Sequence, residues 1–255
     1  LDHIGPMTRS VADAAAMLQV IAGFDAQDPT TRREPVPDYT AALGRSVDGL
    51  RIGVDETYVR RGMDSEVASI VLRSAEVLAA AGAQLIKIRF PDVAEAVSAW
   101  TTVCAPEAAV AHAGLYPERG QEYGPGLASL LDAGRGFSAM DYAKAHEARL
   151  RFCGQLAGVF EAVDLVLCPS MGIATPSAGL TGDDAEALAT LLRFTAAFDF
   201  SGSPTISLPC GFTADGMPVG LQLIGRHLDE ASLLAAANSY ERATDWHTRR
   251  PPLAP

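Results

Sequence analysis

The chain has 255 residues, with 31 Asp and Glu against 20 Lys and Arg, a net charge of −11 and 48% hydrophobic residues. That length and apolar content fit one large α/β domain or two small ones with a sizeable core. The acidic balance repels phosphate backbones and anionic lipid, and no apolar run reaches the ~18 residues of a transmembrane helix, which argues against nucleic-acid and membrane roles.

The sequence opens on Leu1 and runs through an apolar segment straight into a helix signal, an opening that suggests further sequence before residue 1. Ser10 followed by Asp13 has the spacing of a capping box, and Val11, Ala14, Ala15, Leu18 and Ile21 form an apolar helical stripe that stops at Gly23. A polar, Pro-containing link occupies 25–37. Leu50 to Val54 reads as a strand. Asp64 is placed to cap a helix carrying Val67, Val71, Ala75, Leu78 and Ala79 and ending at Gly82. The segment from Gln84 to Phe90 alternates Leu85, Lys87 and Arg89 with Ile86, Ile88 and Phe90, the period of a half-buried strand. Strand, helix and strand make a βαβ-like unit, the mark of a sheet covered by helices.

The middle third is helical. Ser138 and Asp141 form a second capping box, and the pattern predicts a long helix from Ala139 to about Ala162. Asp164 to Pro169 is almost wholly apolar, the pattern of a buried parallel strand. Two further strands, Thr205–Phe212 and Val219–Ile224, flank an Asp215-Gly216 hairpin signal. Asp229 then caps an amphipathic helix that uses Leu233, Leu234, Ala237 and Tyr240.

Familiar catalytic patterns are missing. There is no G-x-S-x-G elbow, no Walker A loop and no G-x-G-x-x-G, and His146-Glu147 lacks a second His at metalloprotease spacing. His3, His112, His227 and His247 read as isolated surface or capping residues. Cys104, Cys153, Cys168 and Cys210 form no C-x-x-C pair and no zinc spacing with His, so no metal is expected. Three of the four lie in apolar stretches and read as buried thiols of a reducing cytoplasm. The two lysines, Lys87 and Lys144, read as solvated surface charges with no serine placed to make a local Ser-Lys pair.

Several blocks together resemble a known family. Leu1 to Ala14 is similar to the segment just after the Gly/Ser-rich signature of amidase-signature enzymes, and Leu50–Val54 with the helix and strand behind it is similar to that family's next unit. Arg193-Phe194-Thr195, Ser201 to Gly211, and Gly216 to Arg226 followed by Asp229-Glu230 resemble its C-terminal core. The resemblance implies an α/β fold, with residues 1–255 as the C-terminal portion of a single three-layer α/β/α domain with a mixed central sheet. It implies hydrolysis of a carboxamide C–N bond by a Ser, cis-Ser and Lys machinery with backbone N–H groups holding the oxyanion, because an alcohol at its free pKa is a poor nucleophile. It also places those groups before Leu1, so no catalytic residue is assigned here; Ser10, Ser201, Ser203 and Ser207 do not match the motif positions. The chain alone is expected to be inactive, without cofactor, in the cytoplasm. Its expected partners are a small amide substrate, the missing N-terminal region of the same domain and, as an option, a second copy in a homodimer.

What the resemblance assigns to this chain is pocket wall. It places Met171, Thr195 and Phe198 against the substrate, while ordinary core packing and a helix hydroxyl bonded to its own backbone remain equal alternatives for these residues. The A subunits of glutamine-dependent amidotransferases, close relatives in this resemblance, carry an acidic residue three positions before the threonine. Here that position is Leu192, and the family asparagine is Asp199. A glutaminase-type role therefore ranks second, and a non-catalytic scaffold module third.

Overall fold

The computed structural model describes residues 1, 3–176 and 190–250. Its centre is a five-stranded mixed sheet built from β1 (Arg51–Val54), β2 (Gln84–Lys87), β3 (Leu165–Pro169), β4 (Thr205–Phe212) and β5 (Pro218–Gly225), in the order β2-β1-β3-β5-β4. β1 pairs parallel with β2 and β3, whereas β5 runs antiparallel to both β3 and β4. β3 is thus parallel on one side only, and every residue of it is buried.

Alternation along the strands sends side chains to two faces, each covered by helices. On one face Ile52, Leu165, Leu167, Leu221 and Leu223 pack against α1 (Val11–Ile21), α4 (Ser65–Ala80) and the last helix, α9 (Glu230–Ala243). On the other, Val166, Cys168 and Ile224 pack against α5 (Ala94–Ala111), α7 (Ala139–Ala162) and the short α8 (Ala196–Ser201). Short helices α2 (Tyr39–Ala42) and α3 (Glu56–Arg60) lie in the first third, and α6 (Pro125–Gly136) packs on α5. The layers are those of an α/β/α sandwich.

The helix ends follow their capping residues. Asp64 accepts from the backbone N–H groups of Glu66 and Val67, and Asp229 from Ser232. Ser138 and Asp141 make both halves of a capping box. Ser10 makes one half, accepting from the Asp13 N–H at 3.1 Å. The 213–217 hairpin closes as its Asp-Gly pair predicts, with Gly216 at φ +83°, a left-handed conformation that suits glycine.

β2 is shorter than its alternation suggests. It ends at Lys87 because the Phe90 N–H is taken by Asp55 Oδ2 at 2.8 Å, which draws 88–90 toward α3. Asp55 also caps α3 through the Tyr58 N–H at 3.0 Å. One carboxylate therefore ties the ends of two neighbouring parallel strands together. At the opposite end of the sheet Arg51 and Arg226 converge on Asp164, at 2.8 and 3.0 Å, and join β1, β3 and β5.

Candidate functional site

The residues singled out by sequence lie around the C-terminal end of β3. Met171 sits half-buried in the turn after that strand. The adjacent Gly172 lies so close to the chain leading into Thr195 that a Cβ there would come within 2.6 Å of the Thr190 carbonyl. Thr195 stands at the start of α8. Its N–H donates to the Leu192 carbonyl at 3.0 Å and its hydroxyl to the same oxygen at 3.4 Å, while its own carbonyl accepts from the Phe198 and Asp199 N–H groups. Phe198 is buried beneath this turn, with its ring edge-on to Phe90, 5.9 Å between centroids. The structure thus places Thr195 and Phe198 on one element, with the Met171 turn packed against the segment before it.

The turn is anchored from within the sheet. Gln222 of β5 is buried, and its amide donates to the Phe194 carbonyl at 2.9 Å and contacts Cys168 Sγ at 3.5 Å. A buried amide without such a partner would be costly, so this bond fixes where Phe194, and hence Thr195, sits. Gln222 was not singled out from the sequence; the available signal was a single polar residue inside an otherwise apolar strand.

Beside the turn opens a cleft of about 1050 Å³, between α3, the 88–93 segment and the start of α5, with Leu192 and Arg193 on one wall. Its floor is apolar and aromatic. Tyr58 stacks on Phe90 at 4.6 Å and meets Phe194 edge-on at 5.0 Å. The Tyr58 hydroxyl donates to the Arg193 carbonyl at 3.3 Å, and burial pushes its pKa well above the ordinary tyrosine value. Arg193 in turn donates to the Tyr58 and Arg61 carbonyls and lies over the Phe194 ring at 4.7 Å. Burial lowers the pKa of its guanidinium. Arg61, Lys87 and Arg89 line the opening. The alternation read Lys87 and Arg89 only as a polar strand face; the fold brings them to the rim of this cleft.

The other nucleophile candidates are not activated. Burial raises the thiols of Cys168 and Cys210 to about 12 and also raises Cys153. The Ser201 and Ser203 hydroxyls pair with each other at 2.8 Å, and His227 contacts the Ser201 carbonyl rather than a hydroxyl. Lys87 and Lys144 are not buried. Among the described residues no group of three or more His, Cys, Asp or Glu is arranged to hold a metal ion, and no helix is long and apolar enough to cross a membrane.

This architecture has clear counterparts. A family model described as Amidase matches residues 1–234. The chain belongs to the amidase family. It is 42% identical over 256 residues to a Mycobacterium tuberculosis protein named "Putative amidase AmiD", covering 99% of this chain and 53% of that protein. It is 36% identical over 277 residues to the A subunit of the glutamyl-tRNA(Gln) amidotransferase of Chloroflexus aggregans, covering 100% of this chain and 57% of that one. Among solved structures, a bacterial aryl acylamidase of the amidase-signature family superposes with a TM-score of 0.81 at 26% identity, over 96% of this chain and 53% of that one. This amidase-family chain spans about half the length of the curated relatives it matches.

Proposed function

We propose that this chain forms the substrate-facing part of an amide hydrolase that cleaves the C–N bond of a small carboxamide, with Met171, Thr195 and Phe198 as pocket wall. The observation that carries the reading is the amidase family match over residues 1–234, which takes in all three residues and the Gln222 that anchors their turn. Thr195 and Met171 act at the surface of the wall, and Phe198 supports it from beneath.

The role of these residues is to bind and orient. Amide cleavage needs an activated hydroxyl and donors aimed at the developing oxyanion. Among the described residues the paired Ser201 and Ser203 hydroxyls have no base hydrogen-bonded to them, so the nucleophile and base are assigned by family resemblance to the rest of the protein. Leu192 supports a substrate other than glutamine, because at the position where the resemblance puts an acidic residue in the glutamine-dependent relatives this chain has an apolar side chain.

The test is turnover by the full gene product on a panel of aryl, alkyl and amino-acid amides. Thr195→Ala and Met171→Ala are expected to lower kcat/KM about tenfold, the effect of losing ~1.4 kcal/mol of transition-state stabilisation, with the melting temperature unchanged. Absence of hydrolysis across the panel would overturn the reading.

A further inference from the structure

We propose that the cleft between α3, the 88–93 segment and α5 is a binding site for an amphipathic carboxylate, an aryl or alkyl body carrying one carboxylate group. The body lies on the floor of Tyr58, Phe90 and Val97, and the carboxylate lies among Arg61, Lys87 and Arg89. This inference does not rest on the hydrolase reading.

Charge is the first argument. The chain carries a net charge of −11, yet three cations gather at one opening. Elsewhere many arginines are paired: Arg51 and Arg226 with Asp164, Arg60 with Glu56, Arg119 with Glu122, Arg151 with Glu95 and Arg249 with Asp245. Among the described residues, the side chains of Arg61, Lys87 and Arg89 make neither a hydrogen bond nor an ion pair. The carboxylates that share the cleft are already engaged: Asp55 accepts from Tyr58 and Phe90, and Asp92 accepts from the Ala94 N–H at 3.0 Å. Arg193 adds positive potential, but its hydrogen bonds go to backbone carbonyls.

Shape and donor type narrow the ligand. An apolar floor with a few polar groups at the rim is the usual form of a small-molecule site, and the volume suits a ligand larger than a bare ion. A phosphate would be cradled best by free backbone N–H groups at a helix N-terminus. Here the start of α3 is capped by Asp55, and at the start of α5 Asp92 takes the Ala94 N–H. The charge at this rim comes from side-chain guanidinium and ammonium groups, which can pair with a single carboxylate. That carboxylate can belong to an amide substrate or to a separate ligand.

The test is isothermal titration of the full gene product with 4-phenylbutyrate, 4-phenylbutyramide and butyrate. Phenylbutyrate is expected to bind at least fivefold tighter than either of the others, and raising NaCl from 50 to 500 mM is expected to weaken it. Arg61→Ala with Arg89→Ala is expected to weaken binding about tenfold, at up to roughly fivefold per exposed cation, whereas Arg89→Lys keeps it within about twofold. Val97→Trp, which fills the floor, is expected to abolish binding, with circular dichroism checking that each variant is folded. Equal affinity for acid and amide, no binding by the wild type, or an unchanged Kd in the folded double variant would overturn the proposal. Competitive inhibition of amide hydrolysis by phenylbutyrate would assign the site to the substrate's own carboxylate, and noncompetitive inhibition would assign it to a separate ligand. Should no amide be hydrolysed, the hydrolase reading fails and the titration still decides this site.

Discussion

Gln222 shows how much one side chain can set. It is one of the few buried polar residues among those described, and its amide holds the carbonyl of Phe194, just before α8. Gln222→Leu keeps the volume but leaves that carbonyl unpaired, a change expected to cost about 1–3 kcal/mol. Urea unfolding should show a lower midpoint with an unchanged slope, and a midpoint within error of wild type would remove the anchoring role. The cysteines give a second test. With burial pushing Cys168 and Cys210 to about 12, almost no thiolate exists at pH 8, so iodoacetamide should leave both unlabelled in the native protein and label both in urea, read by peptide mass spectrometry. Their apolar flanks made that burial legible in the sequence. Phe198 was less legible, because one aromatic in a short helix fits a pocket wall and a core equally, and its contact with Phe90 is a long-range one that no local pattern announces. The cleft was hidden altogether: Asp55 and Phe90 are 35 residues apart, and no local pattern announces the hydrogen bond between them.

Elements were the most readable level, because caps and periodicity are local. Asp64, Ser138 and Asp229 each begin a helix where their side chains predict. The sheet order was not readable, since the placement of β5 between β3 and β4 depends on long-range pairing. Contact between helices was equally hidden. Gly134 of α6 lies against α5 so closely that a Cβ would come within 2.1 Å of the Ala105 carbonyl oxygen. The neighbouring Pro106 stands inside α5 and brings no N–H of its own to the helix. Gly134→Ala would gain about 1 kcal/mol of helix propensity, but overpacking against rigid backbone costs typically ~1–3 kcal/mol or more. The clash should win. The variant is expected to melt several degrees lower, whereas Gly126→Ala, where a Cβ meets nothing within 4 Å, is not expected to fall. Equal melting temperatures for the two would remove the close-contact argument.

At the scale of the whole molecule, charge and fold respond to acid at different points. The sequence isoelectric point is near 4.8, so repulsion between copies vanishes there and solubility should be lowest. The groups that tie the structure together are still ionised at that pH. Hydrogen bonds from Arg51 hold Asp164 below its ordinary pKa, and the capping residues Asp38 and Asp141 are lowered by their own donors. A carboxylate whose folded pKa is depressed stabilises the fold above its unfolded value, about 3.9 for Asp, and loses that contribution as pH falls toward the lowered value. Association should therefore precede unfolding. Light scattering is expected to peak near pH 4.8 while far-UV circular dichroism stays native, and ellipticity should fall only below about pH 4. Replacing Asp164 with Asn keeps the shape but removes the charge shared by Arg51 and Arg226, so this variant should be less stable at pH 7 and should lose less further stability between pH 5 and pH 3. Ellipticity lost at or above pH 4.8 in the wild type, or an acid response in Asp164→Asn as steep as in the wild type, would mean that this junction does not govern the acid limb.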